Sequence, residues 1–452
     1  MPPVSIKKLA YAYSPSIVHS YLRRIEASDI GSRLARGVFW SMAGSVISRG
    51  LMLIAAILVA RTLGKMVYGE LGMIQTTVGM LGVFAGFGLG LTATKHVAEF
   101  RLTDPKRAGR IIGLSGLFAT GTGGLMALGL FTFAPWLAEN TINAPHLTGL
   151  LRIGALILFV NALNGAQTGA LAGFEAFKTI AHVNLAVGLL SFPILVSGAY
   201  LGGLTGAVWA LAINLCFNWL LNHLALRKEA QRHRIPFTLR DCSREWPILW
   251  KFSLPAVLAG SMVGPVNWAC SAMLVNQPGG YGEMGTFSAA NQWYVLLLFL
   301  PGILGGVVLP VLSEQMGQNN VEQSMETLVL AIKINLLFVI PLVLIASITS
   351  PYIMSLYGEG FADGWPTLVV VLVTAGLLAV QTPVGQVIAA SGSMWVGFVM
   401  NLGWGFTFIV STITLIDHGS LGLASARMLS YIFHAAWTFG FAIWLIRKVA
   451  SN

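Results

Sequence analysis

The sequence predicts an all-α polytopic membrane protein: about twelve helices of membrane-crossing length, in two pseudo-symmetric six-helix bundles around a central cavity. Composition, the spacing of apolar runs and an internal repeat lead to that prediction. Of the 452 residues, 56% are hydrophobic and 10% charged, whereas a soluble domain carries about 25% charged residues. Such a chain cannot cover a water-facing surface. This excludes a soluble enzyme, a secreted disulfide scaffold and a nucleic-acid binder. Cys216, Cys242 and Cys270 are far apart and odd in number, so neither a disulfide framework nor metal-ligand spacing is present.

A crossing helix needs about 20 mostly apolar residues, because the hydrocarbon core is about 30 Å thick and each residue rises 1.5 Å. Runs of that kind lie near 37–60, 69–94, 109–133, 148–173, 178–200 and 203–226. The second set lies near 248–275, 284–312, 327–350, 364–390, 394–416 and 420–446. The expected organisation is therefore a cytoplasmic tail (1–36), an N-terminal bundle (37–226), a basic cytoplasmic linker (227–247) and a C-terminal bundle (248–448). The tail lacks the apolar core of a cleavable signal peptide. Its Ile17, Val18, Tyr21, Leu22 and Ile25, beside Arg23 and Arg24, suit either a helix lying on an anionic membrane surface or a loosely ordered basic tail.

Orientation follows from the basic residues. Of 27 Lys and Arg, only Arg61 and Lys65 fall in outer connections, and Arg49, Arg152 and Arg427 fall inside spans. All the others lie in the tail, the central linker and the loops on the same side. That asymmetry puts both termini in the cytoplasm.

The two sets of spans are also related in sequence. Tyr68-Gly69-Glu70-Leu71-Gly72 at span two recurs as Tyr281-Gly282-Glu283-Met284-Gly285 at span eight. Asn184-Leu185 recurs as Asn401-Leu402, and Gly203-Leu204-Thr205-Gly206 as Gly419-Ser420-Leu421-Gly422. Three recurrences at nearly one offset, each at an equivalent span, indicate duplication. Both halves enter from the cytoplasm, so the repeats are parallel, an arrangement that places substrate between the halves and alternates access by rocking.

Gly37-Val38-Phe39-Trp40, then Leu58-Val59-Ala60-Arg61-Thr62-Leu63-Gly64 and Tyr68-Gly69-Glu70, resemble the start of the polysaccharide flippases. So do Gly86-Phe87-Gly88-Leu89 followed by Thr92 and Lys95. These flippases belong to the multidrug/oligosaccharidyl-lipid/polysaccharide exporter superfamily. The similarity is clearest over 37–100, weaker at 165–226 and architectural beyond. The resemblance implies a non-enzymatic carrier in a bacterial inner membrane. Its substrate would be polyprenyl-diphosphate-linked oligosaccharide, moved from the cytoplasmic to the outer leaflet, and its partners membrane lipids and polysaccharide polymerase or assembly proteins.

Charge inside the spans bears on this directly. A charged side chain at helix centre costs about 2.5–3.5 kcal/mol on insertion scales, so it usually faces a cavity. Arg49 lies about 18 Å by helical rise from either end of its basic-flanked run. It is the leading candidate for a diphosphate or acidic-sugar contact, because guanidinium pairs bidentately with phosphate. Arg427 in span twelve is the second candidate. Arg152, near the outer end of span four, fits an interface anchor better. Lys95, His96 and Lys333 border the cytoplasmic face, where they could receive the diphosphate, although positive-inside anchoring is the simpler reading. Asn161, Asn164 and Gln167 share a face of span four. Asn267, Asn291, Gln292, Gln381 and Gln386 add amides at depth, each equally suited to holding sugar or to joining helices. His182, His223 and His434 read as packing residues.

No carboxylate sits at mid-span; Glu70 and Glu283 come nearest, at the outer ends of spans two and eight. A cation exporter needs a buried acid, so a multidrug exporter is the alternative, not the primary reading. No cofactor is expected. Coupling to a proton or sodium gradient has no assignable site. No G-x-x-x-x-G-K-[ST] loop is present for nucleotide. A membrane enzyme of polysaccharide assembly is disfavoured because the longest outer connection, 134–147, holds only Glu139 and no Lys or Arg.

Overall fold

The computed structural model describes residues 29–236, 241–318 and 320–450, so the tail residues 17–25, read as either an interfacial helix or a loosely ordered basic segment, lie outside the described residues. Among those residues the chain is helical throughout, with no strand. The N-terminal half comprises α1 (Asp29–Leu63), α2 (Lys65–Gly86), α3 (Leu89–Phe100), α4 (Pro105–Asn140), α5 (Thr148–Gly173) and α6 (Phe177–Arg232). The C-terminal half comprises α7 (Leu254–Gly260), α8 (Val263–Val275), α9 (Gly280–Leu297), α10 (Phe299–Gly317), α11 (Val321–Ile348), α12 (Ser350–Leu356), α13 (Trp365–Ala390), α14 (Met394–Leu415) and α15 (Gly419–Ala450).

Among the described residues, nine stretches are long and apolar enough to cross a membrane. Two of them, Phe177–Arg232 and Trp395–Leu445, each hold two crossings, and the short apolar α8 completes span seven. This accounts for the twelve expected crossings. α1 lies along α6, and α5 packs against α3, α4 and α6; in the other half α15 packs on α13 and α14, and α13 on α10 and α11. The halves meet chiefly where α2 packs against α8 and α9.

The duplication is visible in the backbone. α6 reverses at Gly203 with φ 55° and ψ −136°, and the turn before α15 has Gly419 at φ 60° and ψ −135°. Both lie in a region that L side chains rarely adopt, which explains glycine at each. The turn between spans four and five has Glu175 N–H donating to Ala172 and Ala176 N–H to Leu171. The turn between spans ten and eleven repeats it, with Gly392 donating to Ala389 and Ser393 to Ile388.

Three spans are less regular than their hydropathy suggests. Span two breaks at Phe87 and Gly88, with φ 44° and 63°. Thr122 Oγ1 donates to the Ala85 carbonyl at 2.8 Å, and Thr92 Oγ1 to the Gly88 carbonyl at 3.1 Å, so carbonyls near the break are satisfied internally, as hydrocarbon requires. Span eight breaks at Leu298, between α9 and α10. Span seven begins as a π-helical turn, Leu249–Ser253, followed by α7 and α8. A continuous apolar run does not reveal such breaks, because the residues on both sides are equally oily.

Candidate functional site

The interface between the halves is built around the repeated motif. Glycine at positions 69 and 285 leaves no side chain between spans two and eight, so the backbones touch. A methyl on Gly69 would collide with the Tyr281 carbonyl, and one on Gly285 with the Lys65 carbonyl. The two copies of the motif therefore pack against each other across the axis that relates them. Lys65 Nζ pairs with Glu283 Oε1 at 3.4 Å. Glu283 Oε2 in turn accepts from Ser420 N–H at 2.9 Å and Ser420 Oγ at 2.6 Å, placing a carboxylate at the positive end of the α15 dipole. Ser420 Oγ lies 3.0 Å from Thr367 Oγ1. The other copy's acid, Glu70, pairs instead with His146 at 2.8 Å.

Further polar links seal the same end. Asn276 Nδ2 donates to the Thr141 carbonyl at 2.7 Å and Tyr281 Oη to the Ile142 carbonyl at 2.8 Å. Deeper, Trp268 Nε1 donates to Thr77 Oγ1 at 3.0 Å. Each bond joins one half of the chain to the other. The opposite end is bridged as well: Thr92 Oγ1 lies 2.7 Å from Ser253 Oγ, and Phe252 meets Lys95 at 4.5 Å and the His96 ring at 5.7 Å. Glu245, only 5% exposed, accepts from Arg107 Nε at 3.0 Å and from Arg110 Nε and Nη2 at 3.2 and 2.9 Å.

Between these ends sits Arg49. It is half-buried on α1, and its guanidinium lies 4.3 Å from the ring centroid of Phe299. Phe299 is the first residue of α10, immediately after the break in span eight. The contact spans the two halves, and no carboxylate pairs with Arg49 among the described residues. A cation–π contact supplies about 0.5–2 kcal/mol and leaves the guanidinium donors free for oxyanions.

Arg427 is inside the C-terminal half, 4% exposed. Its Nη1 donates to Asn291 Oδ1 at 2.8 Å, and the guanidinium lies 4.3 and 4.9 Å from the Tyr294 and Phe287 rings. Nε and Nη2 are buried without a partner. Two unsatisfied donors on a buried cation are costly, which marks this position for an anion or an ordered water.

The other expected residues are dispersed. Arg152 is exposed, 5.1 Å from the Phe131 ring. Asn161 is exposed, whereas Asn164, one turn along, is buried and joins α5 to α6 through the Leu215 carbonyl and Asn222. Gln167 lies 3.3 Å from His223 Nδ1. Its counterpart in the second half is Gln381, hydrogen-bonded to His434 and Thr438. Asn267 Nδ2 donates to its own helix at the Val263 carbonyl, 2.7 Å away. Lys95 and Lys333 are exposed, and His96 bonds Glu99 at 3.0 Å. The structure thus joins Asn291 with Arg427 and brings Arg49 to the interface, while Asn164 and Gln381 sit in helix-joining networks. Phe299, Glu245, Phe252 and Ser253 were not singled out by sequence; an aromatic beside a lone arginine and an acid among basic loops are weak signals without the fold.

Comparison with known proteins agrees with this architecture. The chain is 26% identical over 398 residues to the EPS I polysaccharide export inner membrane protein EpsE of Ralstonia nicotianae (strain ATCC BAA-1114 / GMI1000), covering 85% of this chain and 88% of that protein. It is 25% identical over 423 residues to the lipid III flippase of Escherichia coli (strain K12), covering 91% of this chain and 99% of that one. The solved structure of a multidrug resistance MATE family transporter of the MOP superfamily, in an inward-facing conformation, superposes with TM-score 0.76 at 16% identity, over 89% of this chain and 96% of that one. A MOP superfamily transporter from Pyrococcus furiosus superposes with TM-score 0.70 at 15% identity, over 92% and 96%. At such identities the superpositions establish the fold alone. The family described as polysaccharide biosynthesis protein matches residues 34–316, and the chain belongs to it.

Proposed function

We propose that this protein is a flippase for polyprenyl-diphosphate-linked oligosaccharide in a bacterial inner membrane, with both termini cytoplasmic. The observation that carries this reading is a pair of arginines held in the spans with no acid beside them. Arg49 at the interface and Arg427 within the C-terminal half have no carboxylate partner among the described residues. Family membership and the lipid III flippase relative support it. A transport path with that charge would favour a phosphate-bearing substrate over a cationic drug.

In this account the sealed end at Gly69 and Gly285 is the outer gate, and the protein loads from the cytoplasm. The diphosphate pairs with Arg49 while the glycan lies between the halves and the polyprenyl tail stays in lipid. Rocking of the N-terminal half (37–226) against the C-terminal half (248–448) then parts the gate. No covalent chemistry is required. The coupling ion, a proton or sodium, has no assigned site, and a polysaccharide polymerase would consume the product on the far side.

The test is complementation of a deletion strain. Arg49→Ala should abolish surface glycan while the protein still inserts, and Arg49→Lys should restore part of it, since lysine keeps charge but loses the bidentate fork. Normal glycan from a stably expressed Arg49→Ala protein would remove the centre of the proposal. Sensitivity of the deletion strain to cationic dyes with unaltered glycan would favour a multidrug exporter.

A further inference from the structure

A groove of about 470 Å³ runs between α5 and the second crossing of α6. Its wall is apolar and includes Leu156, Leu163, Trp209, Ile213, Cys216 and Leu220. Leu156, Trp209, Ile213 and Leu220 are exposed, as is Cys216, so the groove opens outward. At this depth in a membrane protein, an outward-facing hollow is filled by hydrocarbon.

Its ends identify which hydrocarbon. From Trp209 to Leu220 the helix rises about 17 Å through the middle of span six, and a further rise of about 10 Å leads from Leu220 to Arg227. Cys216, Leu220, His223 and Arg227 follow one another at three- or four-residue spacing, so one stripe of α6 runs from the groove towards the cytoplasm. The groove ends in polar groups. The Gln167 amide, oriented to satisfy both partners, donates to the Trp219 carbonyl and accepts from Trp219 Nε1, each at 3.1 Å. His223 Nδ1 lies 3.3 Å from the same amide. One turn beyond, Arg227 is exposed with Lys228 beside it, and no carboxylate pairs with Arg227 among the described residues.

We propose that this groove binds one acyl chain of an anionic phospholipid of the cytoplasmic leaflet, with the phosphate at Arg227 and the chain running up between α5 and α6. Every lining residue belongs to the N-terminal half, so rocking of the halves neither opens nor closes the site. A transported lipid must carry its headgroup across the membrane; this site instead holds a headgroup at the cytoplasmic surface. The proposal rests on the orientation read from the basic loops and stands whether or not the chain carries glycan.

Cys216 provides the reporter, because Cys242 and Cys270 are buried. The full chain, labelled with bimane at Cys216, would be reconstituted with phosphatidylglycerol or phosphatidylcholine brominated on the acyl chain, at equal mole fraction. One basic residue near the surface should give about a fivefold preference of the site for the anionic lipid. Lys228 is turned about 100° from the stripe that carries Arg227, so Arg227→Gln should erase the preference and Arg227→Lys retain it. Unlabelled protein should carry phosphatidylglycerol through purification, read by mass spectrometry, and Arg227→Gln should carry less. Equal quenching by the two lipids, or a preference unchanged in Arg227→Gln, overturns the proposal. Relief of quenching by an equimolar polyprenyl phosphate also overturns it, assigning the groove to the carrier lipid.

Discussion

Gly69 of span two rests directly against the main-chain carbonyl of Tyr281 in span eight, and Tyr281 opens the second copy of the motif to which Gly69 belongs. The repeat is therefore also a contact. Duplication made two small-residue surfaces, and the fold closes one on the other. A close backbone crossing of this kind holds by packing, the main source of helix association in lipid.

Gly69→Ala should disturb that crossing, because the added methyl meets backbone that cannot swing aside. Overpacking of this kind costs about 1–3 kcal/mol, and here it falls at the closed end between the halves. Surface glycan should drop sharply at normal protein level. Gly79→Ala, with nothing within 4 Å of the new methyl, should leave it unchanged.

A disulfide offers a direct test of the gate. The Cβ built on Gly72 lies 3.1 Å from Ser288 Cβ, near the roughly 3.5–4.5 Å span of a disulfide. A protein carrying Gly72→Cys and Ser288→Cys should crosslink under mild oxidation, lose export and regain it on reduction. Full export by the crosslinked protein would show that these helices need not part.

Arg427→Met separates transport from stability. Replacing a buried, incompletely paired charge by an apolar residue of similar volume is often neutral or stabilising. Thermal denaturation in detergent should therefore show an unchanged or higher melting temperature, with glycan export lost. Loss of both would make Arg427 a structural residue. Asn291→Leu, which removes a hydrogen-bond partner of Arg427, should lower the melting temperature.

Glu245→Gln should weaken the link between the segment before span seven and α4. The acid is buried but Arg107 and Arg110 are 39% and 22% exposed, so solvent screening places the cost at about 1–3 kcal/mol, below that of a fully buried pair. A lower melting temperature, with less than additive loss when Arg107→Gln and Arg110→Gln are combined with it, would measure the coupling.

Much of this was legible in sequence because lipid imposes one dominant rule. Span four, read as 148–173, is observed as Thr148–Gly173, and span ten, read as 364–390, as Trp365–Ala390. What hydropathy cannot carry is backbone geometry: the breaks at Phe87 and Leu298 occur within runs that are apolar on both sides. Asn161 and Asn164 show the corresponding limit for the site. Spacing put them on one face, but three residues turn a helix through about 300°, and that offset is enough to leave one exposed and bury the other. Arg49 stands out in the sequence by its lack of charged neighbours. Its companion, Phe299, lies in the other half and became visible only when the halves met.

The most direct measurement is the leaflet distribution of lipid-linked oligosaccharide in a deletion strain complemented with the parent chain or with Arg49→Ala. The strain lacking the protein, and the strain with Arg49→Ala, should accumulate a polyprenyl-diphosphate-linked oligosaccharide on the cytoplasmic leaflet, and the parent chain should clear it. No accumulation in either strain, or accumulation on the outer leaflet, would contradict it.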